Sequence, residues 1–260
     1  MKIEVIGCHG GEGPEFHATS FLLNGNTLVD AGSAVGGLSM ERQKQIDHVV
    51  ITHPHLDHVK DLAFLADNTF GTRDTPIQVV SDADVITDLR DHLFNWIIWP
   101  DFSVLPTPEK PTMVWAPIKD RLQVGDLIFE SHDVNHPGNA VGYVIEDPKA
   151  DVSVLISGDT QSTDAIWEAG FKRKNLAAIF VDIAFPNDMA HIAARSGHFT
   201  PAMFKEEMKK FPDHSIPIFV YHLKPAFYKT VEQEIAALEG GNFTVVREGE
   251  IFEFGCRAAA

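Results

Sequence analysis

Runs of apolar residues separated by turn-forming residues organise the first half of the chain. Residues 2–8, 19–23 and 27–30 are rich in β-branched or apolar side chains and end at Gly, Asn or Asp, so they are predicted to be strands. Residues 48–51 form a short apolar run that is typical of a buried strand. This strand leads directly to His53, and a helix is predicted to follow over about residues 58–66.

The second half alternates more regularly between strands and helices. Strands are predicted over residues 127–131, 140–145, 152–157, 177–181 and 216–221, and helices over residues 163–170, 201–210 and 226–238. Two mixed halves of this kind predict packed sheets flanked by helices. The expected fold class is therefore α/β, built as a four-layer αββα sandwich.

Residues 94–117 depart from this alternation. They contain five prolines together with Phe94, Trp96, Trp99, Phe102 and Trp115. This composition predicts an irregular insertion that acts as a lid or contact surface, and a loop packed by its own aromatic side chains is an equal alternative. No repeat, low-complexity run or linker interrupts the chain, so residues 1–260 are expected to form a single domain.

The charge balance constrains the substrate. The chain has 21 Lys and Arg against 37 Asp and Glu, for a net charge of -16, and its densest basic run is residues 172–174. This charge favours a small-molecule substrate over a nucleic-acid polymer. A bound metal ion would supply positive charge locally, so a phosphate substrate remains compatible with it. The aromatic residues of the insertion leave a homodimer open.

No segment has the pattern of a signal peptide or of a membrane span, so the expected location is the cytoplasm, with no membrane partner. Cys8 and Cys256 are too few for a disulfide framework. Two free thiols are expected rather than a clasp between the ends of the chain.

Four candidate metal ligands lie within six residues, directly after the strand at 48–51. His53 and His55 are two residues apart, so an extended backbone points both to one side, whereas the adjacent Asp57 and His58 can turn toward another point. This spacing predicts two neighbouring divalent metal ions. Imidazoles and a carboxylate suit Zn²⁺ first, with Mn²⁺ or Fe as alternatives. A solvated histidine-rich turn is the ordinary alternative.

Three further candidate ligands lie beside predicted strands. His136 precedes one strand, Asp159 follows the apolar run 154–156, and His222 ends the strand at 216–221. An Asp after Ser-Gly is often only a turn or cap residue, so each candidate alone is weak evidence. Together they complete two metal sites, with Asp159 as a bridge between the ions.

The order His53, His55, Asp57, His58, His136, Asp159, His222 resembles the metallo-β-lactamase superfamily over almost the whole chain. The resemblance implies an αββα fold with a dinuclear site at one edge of the sheets. It assigns His53, His55 and His136 to one metal and Asp57, His58 and His222 to the other, bridged by Asp159 and a water or hydroxide. His132 competes with His136, which is preferred because it precedes Gly142–Tyr143 as the third histidine of the family precedes a Gly-aromatic pair.

Residues 181–225 are similar to the class II 3',5'-cyclic-nucleotide phosphodiesterases. They contain an acidic residue on a strand, then Phe-Pro-Asn, Ser-Gly-His-x-Thr-Pro and His-x-Lys-Pro, and residues 99–102 (Trp-Pro-Asp-Phe) are also similar. Asp182 stands where the family usually has Glu, which leaves its geometry toward His198 open, and Phe199 replaces a more usual Leu. The tRNA 3'-processing endonucleases share a related acidic residue and His-x-Thr pairing and are the nearest alternative.

This resemblance implies hydrolysis of a cyclic nucleotide. Two metal ions polarise phosphoryl oxygens and generate hydroxide, which attacks phosphorus in line. The leaving alkoxide needs a proton, and His198, oriented by Asp182, is the predicted donor, with a capping role beside Thr200 as the alternative for His198. Asp57 is grouped with these catalytic residues as well as with the ligands.

Several residues are candidates for contact with the substrate, each with an ordinary structural alternative. Lys224 is expected to contact phosphate, or to be a solvated loop lysine. Asn187 contacts the substrate or, more simply, closes a turn. The base is expected to stack on Trp96, Trp99 or Phe102. A non-catalytic sensor of metal or nucleotide is a further alternative, which the complete ligand set disfavours.

Overall fold

The computed structural model describes residues 1–255. The first half forms strands β1 (Lys2–Gly7), β2 (Ser20–Leu23), β3 (Thr27–Val29), β4 (His48–Val50), β5 (Ile77–Ser81), β6 (Pro106–Thr107), β7 (Lys110–Pro111) and β8 (Met113–Pro117), and helices α1 (Ala34–Gly37), α2 (Met40–Gln43), α3 (Leu56–Thr69) and α4 (Ala83–His92). The second half forms strands β9 (Arg121–Val124), β10 (Leu127–Asp133), β11 (Val141–Asp147), β12 (Val152–Ile156), β13 (Leu176–Asp182), β14 (Ile218–Tyr221), β15 (Phe243–Val245) and β16 (Ile251–Glu253), and helices α5 (Ala165–Phe171), α6 (Ala190–Ser196), α7 (Pro201–Glu207) and α8 (Tyr228–Ala236). Short 3₁₀ turns occupy Asn187–Met189, Met208–Lys210 and Pro225–Phe227.

Two seven-stranded sheets share one pairing pattern. The first has the order β16-β1-β2-β3-β4-β5-β8 and the second the order β9-β10-β11-β12-β13-β14-β15. In each sheet the first three pairings are antiparallel and the last three are parallel. The carboxyl ends of the parallel strands therefore lie together at one edge of each sheet.

Three hydrophobic clusters separate four layers. The central cluster joins Phe21 and Val50 of the first sheet to Phe129 and Phe180 of the second, so the sheets pack face to face. A second cluster packs α3 and α4 on the outside of the first sheet, and a third packs α5, α7 and α8 on the outside of the second. This arrangement confirms the expected αββα sandwich.

Local sequence explains where α7 begins and ends. The Thr200 side chain accepts a hydrogen bond from Met203 N, and Pro201 occupies the first turn, where its missing N–H costs nothing. The α-helix ends at Glu207, and Met208–Lys210 continues it as a 3₁₀ turn, so the helix is three residues shorter than the pattern predicted. His198 lies two residues before the N-cap Thr200, outside the helix.

The segment 94–117 is irregular only in its first part. Residues 106–111 contain the β6–β7 hairpin, and β8 pairs in parallel with β5 inside the first sheet. Phe94 and Phe102 are buried in the outer cluster of that sheet, whereas Trp96, Ile97 and Ile98 are exposed. The packing therefore divides the segment into a buried aromatic part and a short exposed apolar tip.

Within residues 1–255, no helix combines the length and apolar character needed to cross a membrane. The expectation about a Cys8–Cys256 clasp lies outside the described residues.

Candidate metal centre

The predicted ligands come together at one edge of the two sheets. The segment His53–His58 follows β4, Asp159 follows β12 and His222 follows β14, all at the carboxyl ends of parallel strands. His136 joins them from the loop after β10. This is where side chains of open α/β sheets commonly converge on a ligand.

Asp159 lies at the middle of the cluster. Its Oδ2 is 3.2 Å from His58 Nε2, 3.1 Å from His222 Nε2 and 3.7 Å from His53 Nε2. Asp159 and all three histidines are buried. One carboxylate oxygen is thus within reach of histidines from both predicted halves of the site.

Two groups of side chains flank Asp159. In one, the ligand atoms of His53, His55 and His136 lie within 4.8 Å of one another, and His136 Nε2 is 3.1 Å from His55 Nδ1. In the other, Asp57, His58 and His222 lie within the same limit. His55 is exposed and Asp57 partly exposed, so the cluster opens to solvent on this side.

Unpaired buried atoms test whether this donor set fits a cation. His53 Nε2, His58 Nε2 and Asp159 Oδ1 are buried, and none has a hydrogen-bond partner among the described residues. Each such group costs roughly 1–3 kcal/mol when left unpaired. Imidazole nitrogens and a carboxylate oxygen that converge in this way fit a divalent metal ion.

Asp30 determines which nitrogen of His58 faces the cluster. His58 Nδ1 donates to Asp30 Oδ2 at 2.7 Å, and Asp30 is itself held by the backbone N–H of Thr52 at 2.8 Å and by the Thr52 hydroxyl. With Nδ1 engaged by Asp30, Nε2 is the nitrogen of His58 that faces the cluster. Asp30 was missed by the sequence reasoning, although an acid at the end of a buried apolar strand is a usable signal.

Three of the other ligand histidines have a hydrogen-bond partner at Nδ1. His53 Nδ1 lies 3.0 Å from Thr52 Oγ1, His222 Nδ1 lies 3.2 Å from Thr19 Oγ1, and His136 Nδ1 donates to the Gly197 carbonyl at 3.0 Å. Burial also holds the pKa of His53 and of His222 well below the ordinary value, which favours the neutral form that metal ligation requires.

The loop after β1 supports His222 at close range. His222 has a φ of 69°, an uncommon conformation for a residue with a side chain. A Cβ placed on Gly10 would lie 2.6 Å from the His222 ring and 2.6 Å from its carbonyl oxygen. Only a glycine lets this loop approach the ligand so closely.

His198 and Asp182 form a buried pair beside the cluster. His198 Nδ1 donates to Asp182 Oδ2 at 2.6 Å, and the His198 ring stacks on His222 with centroids 5.2 Å apart. Burial lowers the pKa of His198, but the Asp182 carboxylate outweighs it and the pKa is raised. The shorter Asp182 therefore reaches His198 without a Glu. His198 also lies within 4.8 Å of His136 and Asp159 as a potential ligand.

Lys224 lies at the same edge, and the side chains of two other predicted substrate contacts have partners of their own. Lys224 Nζ is 3.6 Å from Asp57 Oδ2 and 3.4 Å from His222 Nε2. The Asn187 amide oxygen instead accepts from Ala202 N at 2.7 Å, which fixes the start of α7. Trp99 packs against Phe64, with ring centroids 5.2 Å apart.

The remaining aromatic and histidine candidates differ in burial and in contacts. Phe102 is 3% exposed, so it cannot stack on a base, whereas Trp96 is exposed. His132 binds Glu130 at 3.0 Å and does not take the place of His136. His191 and His214 are exposed surface residues.

Comparisons with known proteins identify the family and the fold. A family model described as "Beta-lactamase superfamily domain" matches residues 26–215. A probable 3',5'-cyclic-nucleotide phosphodiesterase of Yersinia pestis is 22% identical over 314 aligned positions, which cover 98% of this chain and 89% of that protein. Unliganded yeast PDE1 has a TM-score of 0.80 at 17% identity, covering 96% of this chain and 98% of that one. The short form of human tRNase Z has a TM-score of 0.70 at 15% identity, covering 98% and 99%.

Proposed function

The chain belongs to the beta-lactamase superfamily domain family, a family of hydrolases, and from that premise we propose that it is a dinuclear metal-dependent phosphodiesterase acting on a 3',5'-cyclic nucleotide. The observation that carries the proposal is the His198–Asp182 pair at 2.6 Å beside the ligand cluster, with Lys224 at the same edge. The similarity to the Yersinia pestis phosphodiesterase supports the substrate class.

Seven side chains would hold two divalent ions, Zn²⁺ in the first instance. His53, His55 and His136 form one group, Asp57, His58 and His222 form the other, and Asp159 lies between them. Such ions, when bound, polarise phosphoryl oxygens and lower the pKa of water.

His198 supplies the proton that hydrolysis of a phosphodiester requires. Its Nδ1 is tied to Asp182, so Nε2 is the nitrogen left to hold a proton for the leaving oxygen. The Asp182 carboxylate raises the pKa of His198 against the effect of burial, which favours the protonated form that a general acid needs. Asp182 is a positioning residue in this scheme.

Lys224 adds a positive charge at the entrance. Its Nζ lies 3.6 Å from the partly exposed Asp57 carboxylate, at the open side of the cluster. A flexible ammonium group at this point can pair with a phosphate oxygen of the substrate. Lys224 thereby compensates locally for the net charge of -16, which would otherwise repel a phosphate.

An apolar cavity beside the metal loop suits the base of the nucleotide. It has a volume of about 500 Å³ and is lined by Pro54, Leu56, Leu93 and Ile98 among others. Asp88 on its wall accepts a hydrogen bond at 2.8 Å from Asn139, in the loop that carries His136. The cavity therefore adjoins two ligand-bearing loops, and its size is that of a small-molecule site. We place the base here rather than on Trp99 or Phe102.

A substrate panel tests the proposal. Protein loaded with Zn²⁺ or Mn²⁺ is incubated with cAMP, cGMP, bis(p-nitrophenyl) phosphate and precursor tRNA. We expect hydrolysis of a cyclic nucleotide to a nucleoside monophosphate. Stoichiometric nucleotide binding without product over hours would instead favour a sensor and contradict the proposal.

His198→Ala tests the proton donor. We expect a loss of about 10²–10⁴-fold in kcat, the usual contribution of a general acid, with metal content unchanged. His191→Ala, an exposed histidine nearby in the chain, is the matched control and should keep full activity. Full activity in His198→Ala would remove His198 from the mechanism.

The tRNA 3'-processing endonucleases remain the second candidate, because human tRNase Z shares the fold. The net charge of -16 disfavours a long polyanion. Cleavage of precursor tRNA, with steeply salt-dependent RNA binding and no turnover of cyclic nucleotides, would favour this candidate.

A further inference from the structure

A second cluster of metal-ligating side chains lies outside the candidate metal centre. Cys8, His9 and Glu248 place one ligand atom each within 4.8 Å of one another. Cys8 and His9 follow β1, and Glu248 lies in the loop before β16, so the cluster joins two segments far apart in the chain. None of the three belongs to the seven predicted ligands.

The backbone brings Cys8 and His9 to the same place. The N–H groups of both residues donate to the single carbonyl of His17, each at 3.0 Å. Two consecutive residues therefore pair with one residue of the neighbouring segment, as in a β-bulge. Such a bulge changes the direction of consecutive side chains. A thiol and an imidazole from neighbouring positions can then face one ligand.

His9 is buried with unmet bonding capacity. His9 is 6% exposed, and its Nδ1 has no hydrogen-bond partner among residues 1–255. His9 Nε2 lies 3.4 Å from Glu248 Oε1. Two ligand atoms bound tetrahedrally at about 2.1 Å from one zinc ion are separated by roughly this distance. Burial lowers the pKa of His9 against the opposing effect of Glu248, which favours the neutral imidazole that a metal ligand requires.

Glu248 is already oriented for ligation. His17 Nδ1 donates to Glu248 Oε2 at 2.6 Å, and the His17 backbone N–H donates to Oε1 at 2.7 Å. A carboxylate held in this way presents Oε1 toward His9 with little remaining freedom. A cavity of about 320 Å³, lined by Phe16, Tyr228 and other residues, leads from solvent to His9 and Glu248.

We propose that Cys8, His9 and Glu248 form a mononuclear zinc site, separate from the candidate metal centre, with His17 orienting Glu248. Thiolate, imidazole and carboxylate are ligands that Zn²⁺ prefers, and binding would displace the proton that Cys8 Sγ donates to the Val246 carbonyl at 3.4 Å. The site supports the loop that carries the candidate ligand His222, because the Cys8 carbonyl accepts a hydrogen bond from His222 N at 2.7 Å. It is independent of the reaction proposed above.

Cobalt spectroscopy distinguishes the two sites. The candidate metal centre offers only nitrogen and oxygen ligands, so a thiolate-to-cobalt charge-transfer band in the near ultraviolet can arise only where a cysteine binds the ion. We expect this band in protein titrated with micromolar Co²⁺, and we expect stoichiometric Zn²⁺ to abolish it. Cys8→Ser should lose the band and one equivalent of bound metal, whereas Cys256→Ser, the other cysteine of the chain, should keep both.

Glu248→Gln covers the case in which Cys8→Ser does not fold. Glu248 is partly exposed, so the variant is expected to fold and to bind Co²⁺ at this site at least about tenfold more weakly. No charge-transfer band in the wild type, a band that survives in Cys8→Ser, or a band seen only at millimolar Co²⁺ would each overturn the proposal. Unchanged Co²⁺ affinity in Glu248→Gln would remove Glu248 as a ligand.

Discussion

His58 and His222 of the candidate metal centre are each held by a side chain that is distant in the sequence. The spacing of His53 to His58 was enough to predict a metal-binding loop, because all four residues are neighbours in the chain. The partners that orient the rings, Asp30 and Thr19, come from residues before β4 and meet the histidines only in the folded sheet. No local spacing connects them to the motif. The sequence therefore predicts the ligand types better than the groups that aim them.

Asp30→Asn tests this orientation at the residue scale. The variant keeps the shape of the side chain but loses the carboxylate that accepts from His58 Nδ1, so His58 is expected to adopt mixed tautomers. We expect a loss of about 10–100-fold in metal affinity or activity, the usual effect of such a change. Metal titration followed by assay measures it.

Asp126→Asn is the control for this substitution, because Asp126 forms only an exposed ion pair with Lys149. Both variants should have similar melting temperatures in excess metal. If Asp30→Asn bound metal as tightly as the wild type, Asp30 would have no orienting role.

At the scale of elements, the apolar runs predicted most strands of the second half to within two residues. β12 is an example, since it is fully buried and lies between the polar residues Asp151 and Ser157. The pattern did not predict β5, α4, β15 or β16. β5 runs into the cap of α4 at Asp82 without a Gly or Pro between them. β16 has three residues, and its partner β1 lies at the other end of the chain. Such non-local pairing leaves no local periodicity to recognise.

Gly10→Ala tests how closely the loop after β1 must approach β14. The added Cβ would lie 2.6 Å from the His222 ring and its carbonyl, so one of the two loops must move. We expect destabilisation of about 1–3 kcal/mol or an equivalent loss of metal affinity. Gly36→Ala is the control, because a Cβ added there would lie more than 4 Å from every described atom outside its own helix backbone and chain neighbours. Equal behaviour of the two variants in unfolding and metal titrations would argue against this contact.

Leu56→Ser tests the cavity between α3 and α4. Leu56 is 66% exposed and lines the cavity, so the substitution is expected to leave the fold intact while it removes apolar contact with a base. Loss of roughly 1 kcal/mol of such contact predicts a several-fold rise in KM for a cyclic nucleotide, with little change in kcat. The KM for bis(p-nitrophenyl) phosphate is the comparison within the same protein.

Ile97→Ser controls for exposed apolar area, because Ile97 is 86% exposed and is not among the residues that line the cavity. A similar rise in KM for both variants would place the base elsewhere.

Across the whole molecule, the candidate metal centre joins two halves that have the same pairing order. His53, His55, Asp57 and His58 follow a strand of the first sheet, whereas His136, Asp159 and His222 follow strands of the second. The αββα arrangement could be predicted from alternating elements. That the two sheets place their parallel edges at the same site follows from three-dimensional packing, which the chain pattern does not contain.

Metal removal should therefore destabilise the whole molecule rather than one loop. A metal that binds only the folded chain stabilises it by about 2.7 kcal/mol when its free concentration is one hundred times Kd. For a chain of this size each kcal/mol shifts Tm by about 2–4 °C, so a strong chelator should lower Tm by roughly 5–11 °C in a single transition. Differential scanning calorimetry measures this, and added Zn²⁺ should restore the higher Tm. Asp159→Asn removes the carboxylate that both groups of histidines approach, so its Tm should respond less to the chelator, with only the proposed Cys8 site left to respond. A Tm that the chelator does not change, or a transition that splits so that only one half responds, would contradict a centre that holds the two sheets together.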